Sequence, residues 1–408
     1  MLKSGAFARR HRAKLRVAAA ATAIAVMGTG LVAGGAGAAT SGGYAGMSLN
    51  KTIATALGTS YPASKLPKYM TQALQVAGKP LTAAQLTKAF TCWKATTCTL
   101  GSGKLVLGIA TANDVDTWRS TSKMGIILQA LQYPQIGKYI FTNAQGNVSE
   151  YESDIRELVS EGANMIVAYN TFGKASWPAY EAAQRDGVPI STYVGPETTV
   201  PTSAITTSVE PTICAVGKTM AKITKQVVGS SPVAYFTGTP GNPEDAGWQK
   251  CATAAGVHSV FNANTTWTPT GAQKAASALI ASGKPAKAIL YSYSTPVPNI
   301  VSAYNQAGKK IPAIITWTTN NSTVCLLQKT AFTMYLTNAL NWAGRVSLTT
   351  LLAKKEGKSV PAAIRYPQPF FKASASQCTP SAPGGYPGTS ALIPNSLSQR
   401  MLATTSAS

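Results

Sequence analysis

Acidic residues are scarce. Fourteen Asp and Glu stand against 36 Lys and Arg in 408 residues, and no acid precedes Asp114 or falls between Asp245 and Glu356. A hydrolase built on a pair of carboxylates has few candidates in such a chain. Histidine is scarcer, at two residues, and His11 lies in a segment expected to be removed. That leaves His258, at the start of "VHSVFNAN", as the single base for a Ser-His-Asp arrangement, and it reads as a strand-edge residue. The cysteines do not fall into zinc-type pairs, so no metal site is expected, and no cofactor is implied. "GTPGNPEDAG" lacks the Gly-Lys-Ser/Thr of a phosphate loop and carries two acids that repel phosphate; it reads as a strand-to-helix turn. No Lys/Arg cluster with interleaved aromatics appears, so nucleic acid is not an expected partner.

What is present is apolar. The chain is 45% hydrophobic and 12% charged, enough for one large core or two ordinary ones. Residues 1–38 stand apart: "MLKSGAFARRHRAKLR" is a basic n-region, an apolar run follows, and Ala36-Gly37-Ala38 is an A-x-A cleavage site. Together they read as a secretory signal. Arg9-Arg10 hints at twin-arginine export without the residues that usually follow, and no Cys follows the apolar run to accept a lipid. The protein is expected in the cell envelope or outside the cell. Its charge of +22 falls to +16 on cleavage, because those 38 residues carry six Lys/Arg and no acid. Scattered lysines on polar helix faces suit an anionic envelope. Six cysteines (Cys92, Cys98, Cys214, Cys251, Cys325, Cys378) in an oxidising compartment imply disulfides. Cys92 and Cys98 are expected to close a local loop; the other pairings stay open.

Residues 39–100 read as a small, partly helical extension. From residue 104 a regular alternation begins: "KLVLGIA", "TSKMGIILQALQYP", "KYIFTNA", "VSEYESDIRELVSEG", "ANMIVAY", "SWPAYEAAQRDG", "VPISTYVG". Strand runs alternating with helical spacing predict βαβ units and a parallel sheet. After "GPETTVPTS" the alternation restarts at "AITTSV" and continues to "IPAIITW". The expected fold class is α/β, with two similar parallel-sheet lobes. Lobe 1 is expected to comprise 101–195 plus 336–366, and lobe 2 to comprise 196–335 plus 367–377. Crossings are expected near 193–197, 334–338 and 366–371. Residues 378–408, rich in Pro, Ser, Gly and Thr, are expected to be a disordered tail.

Six phrases in order resemble a known family: "GIATANDVDTWRSTSKMGI", "NAQGNVSEYESDIRELVSEGANMIVAYN", "AAQRDGVPISTYVG", "VAYFTGTPGNPEDAGWQKC", "YNQAGKKIPAIITW" and "LTTLLAKKEGKSVP". From about residue 104 to 372 the chain is similar to the periplasmic sugar-binding proteins of the ribose/galactose type, the type I solute receptors of ABC importers. Repressors of the same fold begin with a helix-turn-helix, where this chain has a signal-like segment.

The resemblance implies a ligand cleft at the carboxyl ends of both sheets, closing about a hinge. It places a stacking aromatic at Trp118, flanked by Asp116 and Arg119, and puts Asn170 and Phe172 where a polar ligand contact is usual. A second stacking aromatic falls on Trp267. Three positions depart from the sugar-binding pattern: Glu244 stands where an Arg is usual, Tyr293-Ser294 where a strand ends in Asn-Asp, and Thr316-Trp317-Thr318 where Gly-aromatic-Asp is usual. Tyr335 stands near a hinge position often filled by Gln. The expected ligand contacts are therefore Asp116, Trp118, Arg119, Asn170, Phe172, Glu244, Trp267, Tyr293, Thr318 and Tyr335, in a pocket more aromatic and acidic than a simple sugar site. The function implied is capture of a small sugar-like or amphipathic ligand for a membrane permease, as a monomer and without catalysis. The alternatives are a sensor for a membrane receptor kinase, a secreted hydrolase and a wall-associated structural protein.

Overall fold

A computed structural model of the chain describes residues 43–113, 117–194 and 201–405. The export segment, Asp116 and the stretch 195–200 fall outside those residues.

Three short helices come first: α1 (Leu49–Leu57), α2 (Lys68–Ala77) and α3 (Ala83–Trp93). Two have caps legible in the sequence. Ser48 accepts from the Lys51 N–H, and Thr82 and Gln85 form a reciprocal capping box. The Cys92–Cys98 disulfide joins the end of α3 to β1 (Thr97–Thr99).

The alternating region follows as β2 (Leu105–Thr111), α4 (Thr117–Ala130), β3 (Ile136–Asn143), α5 (Val148–Ser160), β4 (Met165–Tyr169), α6 (Trp177–Arg185), β5 (Ile190–Tyr193) and β6 (Thr207–Pro211). The second half runs through α7 (Ile213–Val228), β7 (Val233–Thr237), α8 (Pro243–Ala254), β8 (Ser259–Asn264), α9 (Pro269–Ala281), β9 (Ala288–Tyr291), α10 (Val297–Gln306), β10 (Ala313–Thr316), α11 (Asn321–Cys325) and β11 (Met334–Leu336). It ends with α12 (Ala343–Lys355), β12 (Ala363–Tyr366), β13 (Phe371–Lys372) and α13 (Asn395–Thr405).

These strands form two sheets, one per lobe. The lobe 1 sheet has seven strands in the order β1-β3-β2-β4-β5-β6-β12, and the lobe 2 sheet has six in the order β13-β11-β10-β9-β7-β8. Only β1 and β13 run antiparallel to their neighbours. Helices cover both faces of each sheet, which is why the central strands are continuous apolar runs. One core lies on each face of the lobe 2 sheet and one on the α5–α6 side of lobe 1. The fourth core joins lobe 1 to the first three helices and the C-terminal segment.

Two expectations need correction. "AITTSV" does not open lobe 2: β6 pairs with β5 and β12, so the first crossing comes after Pro211. Thr207, Ser208 and Val209 take a parallel register beside Ser191, Thr192 and Tyr193. The later crossings lie between β11 and α12 and between β12 and β13. The second correction concerns residues 378–405, which are folded. Leu392, Ile393, Leu397, Met401 and Leu402 are buried in the lobe 1 core. Composition there is polar on average, but these few apolar side chains recur at helical spacing, and position decides burial. The remaining disulfides are Cys214–Cys251, between α7 and α8, and Cys325–Cys378, from α11 to this segment.

Candidate binding cleft

Each sheet presents its carboxyl edge to the crossings, where open α/β sheets hold ligands. On lobe 1, three strands end in tyrosine: Tyr169 closes β4, Tyr193 closes β5 and Tyr366 closes β12. Trp118, in the first turn of α4, completes an aromatic group. Its ring centroid lies 5.7 Å from Tyr169 and 6.4 Å from Tyr193, and those two tyrosines are 5.6 Å apart. The Arg119 guanidinium lies 5.0 Å above the Tyr169 ring. Trp118 is also tied to the second crossing: its indole N–H donates to the Ala339 carbonyl at 2.5 Å, and the Asn341 amide donates to the Trp118 carbonyl at 2.7 Å. The aromatic that the sequence places at a turn is thus half-buried between its own lobe and the hinge.

On lobe 2, Trp267 follows β8 in the left-handed region, at φ 54°. Its ring lies flat on Gly238, where a Cβ would come within 1.9 Å of it, so glycine is required there. The Trp267 N–H of the ring donates to Ser292 Oγ at 3.1 Å. Thr318, also left-handed, donates its backbone N–H to Thr337 Oγ1 and shares a 3.0 Å hydroxyl contact with Ser294. Tyr293 and Tyr335 are half-buried, packed on opposite faces of the lobe 2 sheet.

The acids divide sharply. Asp245 accepts from the Gly238 N–H and the Trp248 indole N–H, both at 2.8 Å, and so holds the turn after β7. Glu244, beside it at the start of α8, retains some accessible surface yet is walled by protein; burial and then Asp245 push it up to about 8. From lobe 1, Glu210 pairs with Arg365 at 3.1 Å. Burial raises the Tyr366 hydroxyl well above its usual value, with Glu244, Glu210 and Tyr169 adding to the effect in that order. Glu244, at the carboxyl edge of lobe 2, thus lies close enough to Tyr366, at the carboxyl edge of lobe 1, to act on it electrostatically.

Two expected contacts belong elsewhere. Asn170 turns into its own loop, accepting from the Phe172 N–H and Ser176 Oγ and donating to the Gly173 carbonyl. Phe172 packs on Tyr151 of α5, ring centroids 5.5 Å apart, in the outer helix layer. Tyr169, Tyr193, Glu210 and Tyr366 stand at the lobe 1 edge although the sequence reading did not point to them; for the tyrosines, apolar runs ending repeatedly in Tyr ("MIVAY", "ISTY", "AIRY") are a usable signal. A surface hollow of about 530 Å³ lies between Pro67–Tyr69 and Ser359–Arg365, at the amino end of β12 and away from the cleft. Among the described residues no group of His, Cys, Asp or Glu could hold a metal ion, and no helix is long and apolar enough to cross a membrane.

Residues 107–359 match the family model of the periplasmic binding protein domain. The match spans more than half of the chain, and the chain belongs to that family of binding proteins. Among solved structures it resembles an ABC transporter solute-binding protein from Burkholderia graminis in complex with D-arabinose, at TM-score 0.59 and 15% identity over 68% of this chain and 97% of that one. A solute-binding protein from Bacillus halodurans with bound myo-inositol gives 0.58 and 14% over 68% and 96%. The fructose-binding periplasmic domain of a hybrid two-component system gives 0.58 and 15% over 65% and 90%. No curated protein matches the chain.

Proposed function

We propose that this protein is an exported solute-binding component of an ABC import system. It captures a small amphipathic ligand between its lobes and delivers it to a membrane permease. The observation that carries the reading is an aromatic carboxyl edge on each sheet, one bearing Trp118, Tyr169 and Tyr193 and the other Trp267. Rings at a cleft take the apolar face of a ligand, and neighbouring charged groups supply directional bonds. In this reading Trp118, Arg119, Glu244, Trp267, Tyr293 and Thr318 contact ligand, with Asp116 beside them. Tyr335 acts near the hinge, and the protein works as a monomer.

The solved relatives with arabinose and myo-inositol support the import role. The two-component relative favours a second reading, in which the closed form is presented to a membrane receptor kinase. Calorimetric titration with sugars, polyols, amino acids and aromatic acids tests the proposal. Saturable binding with no turnover is expected; turnover of any panel member would refute it.

A further inference from the structure

Two polar groups at the cleft are left unused by the fold. The Tyr366 side chain is fully buried, and its hydroxyl has no hydrogen-bond partner among the described residues. A buried hydroxyl left without a partner is unfavourable, so a binding partner there stabilises. Glu244 is joined by no hydrogen bond or ion pair to any described residue, while Asp245 is engaged by Gly238 and Trp248.

The surroundings define what that partner is. The groups facing Glu244 and Tyr366 are acidic or phenolic: Asp245 on α8, Glu210 on β6 and Tyr169 on β4. Neither nearby cation bonds Glu244: Arg365 pairs with Glu210 and Arg119 lies over the face of Tyr169. A sugar site would balance Glu244 with a basic side chain. Here the balancing charge has to arrive with the ligand, and ring faces attract cations as well.

We propose that the cleft selects a small protonated amine, whose ammonium donates to the Glu244 carboxylate of lobe 2 and to the Tyr366 hydroxyl oxygen of lobe 1. The carbon skeleton lies on Trp118, Tyr169 and Tyr193. This rests on the cleft being the binding site. Bridging the two lobes, the ammonium also favours closure. Because burial raises Glu244 to about 8, the amine competes with a proton for it. An alkylamine stays charged across this range, so its affinity rises with pH, by about 20-fold from pH 6.5 to 8.5.

The test compares a matched pair, 1-amino-1-deoxysorbitol and sorbitol, by calorimetry on the full chain. The amine is expected to bind at least tenfold more tightly at pH 8.5, with the advantage shrinking at pH 6.5. Glu244→Gln should abolish both the preference and its pH dependence. Tyr366→Phe should weaken the amine several-fold without lowering the melting temperature, since it removes an unpartnered hydroxyl. Thermal melts of both variants establish that they fold, and Glu244→Asp substitutes if the Gln variant does not. Equal or tighter binding of sorbitol, or a pH-independent amine affinity, overturns this proposal and leaves the cleft reading standing. Binding of neither compound, together with no response to the wider solute panel, overturns the cleft reading itself.

Discussion

The two lobes share one architecture and are stabilised differently. Lobe 2 is a two-sided sandwich whose helices α7, α8, α9 and α10 each bury one side and expose the other. Lobe 1 has an additional layer. Its helix α4 is buried at every residue from Ser120 to Ala130, and α12 at every residue from Ala343 to Ala353. The first three helices and the C-terminal segment cover their outer faces. A helix enclosed on all sides shows no amphipathic stripe, and it must satisfy its polar side chains internally. Thr121, Ser122, Thr349 and Thr350 do so by donating to carbonyls four residues back. Arg345 donates to Gln129 and to the Leu392 carbonyl of the C-terminal segment, and burial lowers it to about 10. Outer-layer chain in lobe 1 is therefore core, whereas in lobe 2 the corresponding surface is solvent.

Deleting residues 379–408 should expose that difference most strongly. It removes five large buried apolar side chains, each worth about 1.5–3 kcal/mol, bares the lobe 1 surface they cover, and strips Arg345 of an acceptor. After the ordering cost is deducted, a loss of about 5 kcal/mol or more is expected in denaturant titration. Unchanged stability would mean that the segment is an appendage and lobe 1 is no thicker than lobe 2. The disulfides come next. With sequence separations of 53, 37 and 6, loop entropy ranks Cys325–Cys378 at about 4 kcal/mol, Cys214–Cys251 slightly lower and Cys92–Cys98 at about 2. Paired Cys→Ala variants measured by thermal melting check the order. A larger loss from Cys92–Cys98 than from Cys214–Cys251 would show that lobe 1 depends on cross-linking as much as lobe 2.

Trp118→Ala and Trp267→Ala sharpen the comparison at the cleft. Each should lower ligand affinity by about 2–4 kcal/mol, the range of aromatic hot spots. Trp118 also bonds the hinge at Ala339 and packs on the lobe 1 core, so its variant should lose about 2 kcal/mol of stability as well. Calorimetry beside melting curves separates the two effects. The smallest effect is electrostatic and confined to lobe 1. Burial, then Glu150 and Glu157, raise Asp154 to about 6. Its folded state holds the proton more tightly than the unfolded chain. The carboxylate therefore costs stability above about pH 6, and the cost vanishes as pH falls toward 4. Asp154→Asn should stabilise by about 1–2 kcal/mol at pH 7 and by nothing near pH 4. An equal gain at both values would point to packing.

Much of this was readable in advance, for identifiable reasons. The run "KLVLGIA" and the spaced Ile155 and Leu158 carry period information that survives in any context, so the βαβ order emerged without coordinates. The end of lobe 1 did not, because β6 is a strand of Thr, Ser and Val whose sheet membership depends on its neighbours rather than on its own pattern. Phe172 and Asn170 followed the family position, but the local path of the loop turns Phe172 onto Tyr151 of the helix layer and closes Asn170 on its own loop.

Local pattern by itself determined the fold class, the alternation, the closeness of Cys92 and Cys98, and the presence of Trp118 at a strand–helix turn. These rest on interactions between residues a few positions apart, which a linear reading can count. Tertiary structure alone decided that Tyr169, Tyr193 and Tyr366 share one edge, that Glu244 acts on Tyr366 from the other lobe, and that a polar tail is core. Those facts depend on contacts such as Tyr69 with Ser359 or Trp118 with Ala339, across more than two hundred residues. No local periodicity encodes such pairings, because they are set by how two sheets and their coverings close on one another.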